Sequence, residues 1–182
     1  MKLNLGAGGR NIPTFCNVDI SPDTKPFPPD VVDDITKLTT FKDHIGKIDL
    51  IRASHCLEHV KWKEITNVLS LWRHLLKPDG ELYISVPDFE QVCRRYISGE
   101  LLSNLRGFLN GGQRNEYDIH YDVFDEKRLT AALSLVGFKN IERYRWEHTE
   151  WSYIDSYEQA YLPHMNKGVG GQLMSLNIRC QK

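Results

Sequence analysis

A glycine turn near the amino terminus is the first stretch of this sequence with the residue types for ligand chemistry. In "KLNLGAGGRNIPTFCNVDI", Gly6, Gly8 and Gly9 separate two short apolar runs, and the second run ends at Asp19. Glycines allow positive φ angles and let the backbone pass close to a ligand. A carboxylate at the end of the following strand can accept two hydrogen bonds from a ribose diol. The spacing therefore indicates a site for a nucleoside.

The short connection between the two runs restricts the kind of nucleoside. A dinucleotide fingerprint requires a third glycine where Asn11 stands and an acid further along the chain than Asp19, and no Gly-Lys-Ser/Thr sequence of a P-loop follows. Residues 6–16, with Pro13 among them, leave no room for the helix whose N-terminus would bind a phosphate. An adenosine ligand without phosphate, such as S-adenosylmethionine, fits this pattern better.

Composition excludes several classes of protein. The 182 residues are 41% hydrophobic and 26% charged, which is ordinary for one soluble domain. Lys plus Arg total 23 against 24 for Asp plus Glu, so no basic field favours nucleic acid or a membrane surface. The four cysteines form no CxxC pair, and we predict no metal site and no disulfide. Neither a membrane span nor a signal segment is evident, so we expect a cytoplasmic protein.

Apolar patterning predicts the elements that position the glycine turn and Asp19. Strand-like runs occupy residues 2–5, 16–20, 31–35, 48–53 and 81–86. An apolar stripe of helical period over residues 62–76 predicts a helix that ends at "KPDG". Strand, helix and strand in this order predict a parallel α/β sheet. In the second half of the chain, the same kind of pattern predicts helices at 89–97, 101–109 and 126–136 and strands at 138–146 and 173–182.

Six motifs in order give a resemblance to a known family. They are "LNLGAGG", "NVDI", "VVDDITKL", "IDLIRASHCLEHV", "LLKPDGELYISVPD" and "HYDVFDEKRLTAALSLVGFKNIERY". Together they resemble class I S-adenosylmethionine-dependent methyltransferases, especially the small bacterial, methyltransferase type 11-like branch. The resemblance covers nearly all of residues 2–147, and "SLNIRCQK" is similar to the last strand of the family.

The resemblance implies a fold and an organisation. We expect one doubly wound, Rossmann-like methyltransferase sheet, mostly parallel with an antiparallel last strand and with the first crossover helix short or absent. The whole of residues 1–182 would be one methyltransferase domain. Residues 88–124 and 144–172 would be acceptor-side or capping insertions.

The resemblance also assigns residues to the cofactor, S-adenosylmethionine. Gly6 and Gly8 match the glycines near its methionine part, and Asp19 matches the acid that binds the ribose. Asp34 matches the acid that accepts from the adenine amino group, with Asp33 as the alternative register. Asn4 stands where the family usually has an acid. The amide can still form hydrogen bonds, but it lacks the negative charge of the acid. The full predicted cofactor set is Asn4, Gly6, Ala7, Gly8, Asp19, Ile20, Asp34, Ile35, Ser54 and His55.

Two histidines are candidates for a catalytic base that removes a proton from the acceptor. His55 follows the fourth strand at the edge of the sheet where ligands bind in open α/β folds. His120 stands in "EYDIHYDVF", in the part of the chain where similar methyltransferases carry acceptor-facing residues. The alternative for each is a histidine that bonds to the backbone. We expect His59, in the "LEH" motif, to be structural, and His164 is a weaker candidate.

The acceptor is predicted by analogy to be a small molecule methylated on oxygen or nitrogen, with a sugar or glycan precursor as one class. Residues 144–165 are rich in Tyr and Trp, which could stack on a sugar, cover the sheet edge or form a dimer contact, and we favour packing. Nucleic acid and membrane partners are not expected, and the protein would be a monomer or a homodimer. The alternatives are a catalytically silent cofactor-binding or scaffold protein and a nicotinamide-dependent enzyme, the latter disfavoured by Asn11.

Overall fold

A seven-stranded sheet organises the chain in the computed structural model, which describes residues 1–168 and 170–182. The strand order is β3-β2-β1-β4-β5-β9-β6, and in the described residues only β9 runs antiparallel to its neighbours in this sheet. The strands of the sheet are β1 (Lys2–Leu5), β2 (Cys16–Asp19), β3 (Val31–Val32), β4 (Ile48–Ser54), β5 (Leu76–Pro87), β6 (Lys139–Arg143) and β9 (Ser175–Gln181); β7 (Tyr161–Leu162) and β8 (Gln172–Leu173) form a separate pair. This topology confirms the predicted mostly parallel, doubly wound α/β sheet.

Four α-helices accompany the sheet in the described residues. They are α1 (Ile65–Leu75), α2 (Phe89–Ile97), α3 (Leu102–Asn110) and α4 (Glu126–Leu135); 3₁₀ turns lie at Thr39–His44, Leu57–His59, Trp146–His148 and Tyr157–Gln159. No helix lies between β1 and β2, which confirms the prediction of a short or absent first crossover helix. Within the described ranges, no helix has the length and apolar character needed to cross a membrane.

The junction of α1 and β5 differs from the sequence prediction. The helix ends at Leu75, and the strand begins directly at Leu76, which pairs with Ile48. The turn "KPDG" is thus accommodated inside β5, where the register shifts between Ile48 and Leu50 and Asp79 takes a φ of 60°. A Pro and an Asp-Gly pair predicted the end of the helix correctly, but an irregular strand can also contain such a turn.

The two faces of the sheet have different chemistry because successive side chains of a strand point to opposite sides. We call the face against which α1 and α4 pack the first face. Leu3 and Leu5 of β1 belong to its apolar core, together with Trp72 of α1 and Leu129 of α4. The opposite face, here called the second face, carries a buried polar side chain from each of five strands: Asn4, Asn17, Arg52, Ser85 and Asn177.

Residues 144–160, here called the covering segment, pack on the second face in place of helices. Trp151 lies edge-on against Phe15 and Tyr83, with ring centroids 5.5 and 5.1 Å apart. Glu158 forms a buried ion pair with Arg52 of β4, whose Nε donates to Glu158 Oε1 at 2.5 Å. An irregular segment rich in aromatic residues therefore closes the core on this side of the sheet.

Candidate functional site

A cavity of about 740 Å³ opens at the carboxyl ends of the first four strands. One wall comes from the glycine turn, the end of β2 and the loops that follow β2, β3 and β4. The facing wall comes from residues 114–118 with Tyr121 and Tyr157. Ligands of open α/β sheets bind in the crevice beyond the strand carboxyl ends, which is the position of this cavity.

The glycine turn is held against two neighbouring loops. Gly6 has a φ of 63°, and a Cβ added there would lie 2.6 Å from the Cβ of Cys56. Gly9 has a φ of 77°, and a Cβ there would lie 2.0 Å from the carbonyl oxygen of Lys25. Both the backbone conformation and the space thus require glycine, and the turn can pass beneath a ligand.

Asp19 is fixed at the end of β2 by backbone donors. Its Oδ2 accepts from the Gly8 N–H at 2.7 Å, and its Oδ1 accepts from the Ser21 N–H at 3.0 Å. Each carboxylate oxygen can accept a further hydrogen bond. The side chain therefore lines the cavity with the capacity to receive two ligand hydroxyls.

The structure distinguishes the two acids of "VVDDI". Asp34 lines the cavity and accepts from Thr36 and, at 2.8 Å, from Lys37 Nζ. Asp33 is buried and accepts from the Thr40 N–H at 2.7 Å, beside the first 3₁₀ turn. Burial acts to raise the pKa of Asp34, but the hydrogen bonds from Lys37 and Thr36 outweigh it, and the net pKa is lowered. An ionised acceptor therefore faces the cavity from this strand end.

His55 lines the cavity with both ring nitrogens close to protein groups. Its φ is 50°, and its Nε2 lies 2.7 Å from Ser175 Oγ. The Ser175 hydroxyl donates to the Tyr157 carbonyl, so it accepts from the N–H of His55. His55 Nδ1 lies 3.3 Å from Glu58 Oε1. The imidazole is therefore held in one orientation at the end of β4.

His120 lies behind the cavity wall, in contact with His59. The two rings are 4.8 Å apart at an interplanar angle of 81°. His120 Nδ1 donates to the Phe108 carbonyl at 3.1 Å, which matches the backbone-bonded alternative for this residue. Burial lowers the pKa of His120 more than the neighbouring Glu58 raises it, so the ring is neutral at pH 7.

Three residues of the predicted cofactor set do not line the cavity: Asn4, Ala7 and Ser54. Asn4 is completely buried on the second face, where it accepts from Arg52 Nη1 at 2.5 Å and donates to Asn17 at 2.9 Å. This hydrogen bonding corrects the expectation that Asn4 contacts the cofactor, because its side chain points away from the cavity. The amide suits its position, since it is both a donor and an acceptor.

Glu58 is the group that sequence reasoning missed. Its side chain is 1% exposed and lies among three histidines. Burial raises the pKa of this carboxyl, but hydrogen bonding from His55, together with the neighbouring His59 and His120, lowers it by more, and the net direction is downward. The sequence signal for this cluster is the spacing of "HCLEH", which places Glu58 near His55 and His59. His120 is distant in sequence and lies beside them only because of the fold. Tyr117 and Tyr121, which line the facing wall of the cavity, were also not singled out, whereas Tyr157 belongs to the Tyr- and Trp-rich stretch noted in the sequence.

Comparison with known proteins identifies relatives of the fold. A family model described as "Methyltransferase domain" matches residues 4–143. A SAM-dependent methyltransferase from Archaeoglobus fulgidus is similar with a TM-score of 0.63 and 17% identity, over 100% of this chain and 85% of that one. A structure from Thermotoga maritima, titled a possible histamine N-methyltransferase, is similar with a TM-score of 0.61 and 14% identity, over 100% and 81%.

A third similar structure contains ligands. It is the 1,6-didemethyltoxoflavin-N1-methyltransferase of Burkholderia thailandensis with bound 1,6-didemethyltoxoflavin and S-adenosylhomocysteine, with a TM-score of 0.57 and 17% identity over 100% of this chain and 70% of that one. A search of curated protein sequences finds no significant match. At these identities the similarity to solved structures shows the fold.

Proposed function

This chain belongs to the class I S-adenosylmethionine-dependent methyltransferases, and on that premise we propose that it methylates an oxygen or nitrogen of a polar small molecule. The observation that carries the proposal is the convergence of the Gly6 turn, Asp19 and Asp34 on one cavity. These groups come from three neighbouring strand ends and match the parts of an adenosine ligand.

The cofactor would lie along the strand ends. Its methionine part would pass over the glycine turn, its ribose hydroxyls would donate to Asp19, and its adenine amino group would donate to Asp34. The proposed cofactor set that lines the cavity is Gly6, Gly8, Asp19, Ile20, Asp34, Ile35 and His55. The sulfonium of the cofactor supplies an activated methyl group, so the protein has to align the acceptor with it and exclude water.

The wall opposite the cofactor supports a polar acceptor with a ring. Arg114, Tyr117, Tyr121 and Tyr157 line it. Tyrosine rings can stack on a sugar or a flat heterocycle while their hydroxyls form hydrogen bonds. A volume of about 740 Å³ lies within the range of small-molecule sites. The same cavity has to hold the cofactor as well as the acceptor, which favours a small acceptor, and we favour a sugar or glycan precursor. The Burkholderia thailandensis structure likewise contains 1,6-didemethyltoxoflavin together with S-adenosylhomocysteine.

His55 lines the cavity and is our candidate for the base that takes the proton lost by the acceptor. Because its Nε2–H is donated to Ser175, the nitrogen that would take the proton is Nδ1, which lies 3.3 Å from Glu58 Oε1. His120 would support the wall from behind His59. Two features favour a silent binding protein: Asn4 in place of an acid and the absence of a helix between β1 and β2. Asn4 has a structural explanation in its bonds to Arg52 and Asn17, and the cavity is formed at the strand ends without that helix. Catalysis is therefore the better proposal.

Ligand-dependent thermal unfolding tests the proposal. A ligand at 100 times its Kd adds about 2.7 kcal/mol of stability, which corresponds to a rise in Tm of roughly 5–10 °C for a chain of this size. We expect that rise with S-adenosylmethionine and S-adenosylhomocysteine and none with NAD. Absence of a rise with both sulfur compounds would overturn the proposal. Release of S-adenosylhomocysteine in the presence of a panel of sugars, phenols and amines then identifies the acceptor class.

A further inference from the structure

We propose that Glu58, His59 and His120 form a binding site for a divalent transition-metal ion at the edge of the cofactor cavity. Each residue offers one ligand atom, and these atoms lie within 4.8 Å of one another. His59 lines the cavity, whereas Glu58 lies beneath it. The inference is carried by three features of this cluster: a buried carboxylate whose basic neighbours within 4.0 Å are histidines, two imidazoles held by backbone carbonyls, and main-chain hydrogen bonds that connect the two chain segments.

The nearest basic group to the Glu58 carboxylate in the described residues is His55 Nδ1, at 3.3 Å from Oε1, and it carries a charge only when His55 is protonated. The Glu58 side chain is 1% exposed, and apart from a protonated His55 no residue that the structure describes donates a hydrogen bond to its oxygens. His120 Nε2 lies 4.0 Å from Oε1, and no Lys or Arg in the described ranges pairs with it. A carboxylate is buried at a cost of several kcal/mol unless it is paired or coordinates a metal. Coordination would satisfy this group.

Both imidazoles are oriented as metal ligands usually are. His59 Nδ1 donates to the Ile119 carbonyl at 3.0 Å, and His120 Nδ1 donates to the Phe108 carbonyl at 3.1 Å. Each ring therefore keeps the unprotonated Nε2 available in its neutral form. Donation of the other ring N–H to a backbone carbonyl is the common arrangement around histidine ligands, because it fixes the tautomer and the ring orientation.

Backbone hydrogen bonds hold the two segments of the cluster together. The N–H groups of Tyr121 and Asp122 donate to the carbonyl of Glu58 at 2.8 and 3.3 Å. The His120 N–H donates to the Asn110 carbonyl at 3.2 Å. The segment with His120 is thus fixed against the Leu57–His59 turn by main-chain bonds. Two ligands of one ion, each bonded at about 2.0–2.2 Å, lie at most about 4 Å apart, so binding would draw the three ligand atoms closer than their present 4.8 Å limit by rotation of the side chains.

The ligand set selects the class of ion. Two imidazoles and one carboxylate suit Zn²⁺, Fe²⁺, Co²⁺ or Ni²⁺, whereas Mg²⁺ and Ca²⁺ prefer oxygen ligands. Three protein ligands beside a cavity leave coordination positions open. The ion would hold an oxygen or nitrogen of the acceptor near the methyl group, a role that rests on the proposed function. Binding of the ion itself does not rest on it.

Metal titration of the tag-free full-length chain tests the site. After dialysis against a chelator, calorimetry with Zn²⁺ and with Mg²⁺ should show one equivalent of Zn²⁺ bound and far weaker binding of Mg²⁺. Co²⁺ should give visible ligand-field absorption that Zn²⁺ displaces. Absence of stoichiometric Zn²⁺ binding, or equal affinity for Mg²⁺, overturns the proposal, and both readouts use the wild-type protein alone.

Substitutions locate the ion. Loss of one ligand in Glu58→Gln or His120→Gln should weaken Zn²⁺ binding by more than about 100-fold, because even loss of outer partners costs 10–100-fold. His148→Gln changes an exposed histidine outside the cluster and should leave the affinity unchanged. Circular dichroism checks the fold of each variant, and unchanged affinity in a folded Glu58 variant contradicts the site.

The outcome is separable from that of the proposed function. Stabilisation by S-adenosylhomocysteine without metal binding would remove the metal site and leave the methyltransferase proposal in place. Metal binding without any response to S-adenosylhomocysteine would remove the methyltransferase proposal and leave the metal site in place.

Discussion

Asp19 is the residue on which the proposed placement of the cofactor depends most. Its carboxylate already accepts from the Gly8 and Ser21 N–H groups and has further acceptor capacity toward the cavity. In Asp19→Asn the side chain keeps its size and one acceptor oxygen but loses its charge. Hydrogen bonds to a charged group contribute about 1.5–3 kcal/mol, so the affinity for S-adenosylhomocysteine should fall roughly 10- to 150-fold, measured by calorimetry.

Asp79→Asn is the control for that substitution. Asp79 is exposed in the turn of β5 and has a φ of 60°, a conformation that Asn tolerates well. We expect wild-type affinity in this variant. Equal affinities in the Asp19 and Asp79 variants would remove the ribose assignment.

Substitutions of Gly6 and Gly46 by Ala distinguish the cost of backbone strain from the cost of steric contact. Gly6 has a φ of 63° and would place a Cβ 2.6 Å from Cys56, whereas Gly46 has a φ of 69° with nothing within 4 Å. Gly46→Ala should lower the free energy of unfolding by about 1–2 kcal/mol, the cost of a left-handed residue. Gly6→Ala should lower it further and weaken cofactor binding, as followed by urea unfolding with and without S-adenosylhomocysteine. Equal losses of stability in the two variants would show that the Cys56 side chain moves away from the added Cβ without a cost in free energy.

The candidate site was predictable from the sequence where local spacing determines it. The Gly6 turn and Asp19 follow from a strand, a tight turn and a strand end within one short stretch. The contact between Glu58 and His120 could not be predicted, because it depends on how the segment after α3 returns to the sheet. The direction of Asn4 also required the structure, since only the pairing with Arg52 shows which face its side chain occupies.

At the scale of elements, Asp88 links the end of β5 to α2. It is the N-cap of α2, accepts from the Gln91 N–H, and has Arg143 Nη2 3.6 Å from its Oδ2. Burial raises the pKa of Asp88 more than Gln91 and Arg143 lower it. The native state therefore holds this proton to higher pH than the unfolded state does. The contribution of Asp88 to the free energy of unfolding falls as pH rises from about 4 through the raised pKa.

Asp88→Asn should remove that decline. Asparagine caps helices as well as aspartate does, so the variant keeps the cap and should be more stable than wild type at neutral pH, with the difference vanishing below about pH 4. Urea unfolding at a series of pH values measures it. Asp125→Asn is the control, because it makes the same substitution at the N-cap of α4. Its change in stability measures the effect of replacing Asp by Asn at a helix cap. A pH-independent difference in the Asp88 variant would contradict the cause assigned to it.

Elements with a strong period were predicted well, and irregular ones were not. The helix predicted at 62–76 is found at Ile65–Leu75, because its apolar stripe faces the core of the first face. The helix at Phe89–Ile97 has the predicted bounds. The covering segment has no period, and its place depends on contacts with strands distant in sequence. Its aromatic composition favoured packing over ligand stacking, but it did not show which strands the segment would cover.

At the scale of the molecule, the covering segment takes the place of the helices that flank most sheets of this kind. Glu158 connects it to the sheet through buried hydrogen bonds. Its side chain accepts from Arg52, Tyr144 and Trp151, and its carbonyl accepts from Asn177 Nδ2 at 3.1 Å. Tyr144 and Trp151 belong to the segment itself, so its detachment would separate Glu158 from Arg52 of β4 and Asn177 of β9. The cost would be about 1–3 kcal/mol for each of these buried groups left unsatisfied. The segment and the sheet should therefore unfold together.

Glu158→Ala tests this connection. Removal of one partner of the buried pair with Arg52 should lower the free energy of unfolding by about 3–5 kcal/mol. The exposed pair of Glu90 and Arg94 is the control, and Glu90→Ala should cost less than about 1 kcal/mol. In wild type, unfolding followed by far-ultraviolet dichroism and by tryptophan fluorescence should coincide. Native-state proteolysis within residues 144–160 that leaves the sheet intact would show instead that the segment opens independently, in which case the second face of the sheet must be stable without its cover.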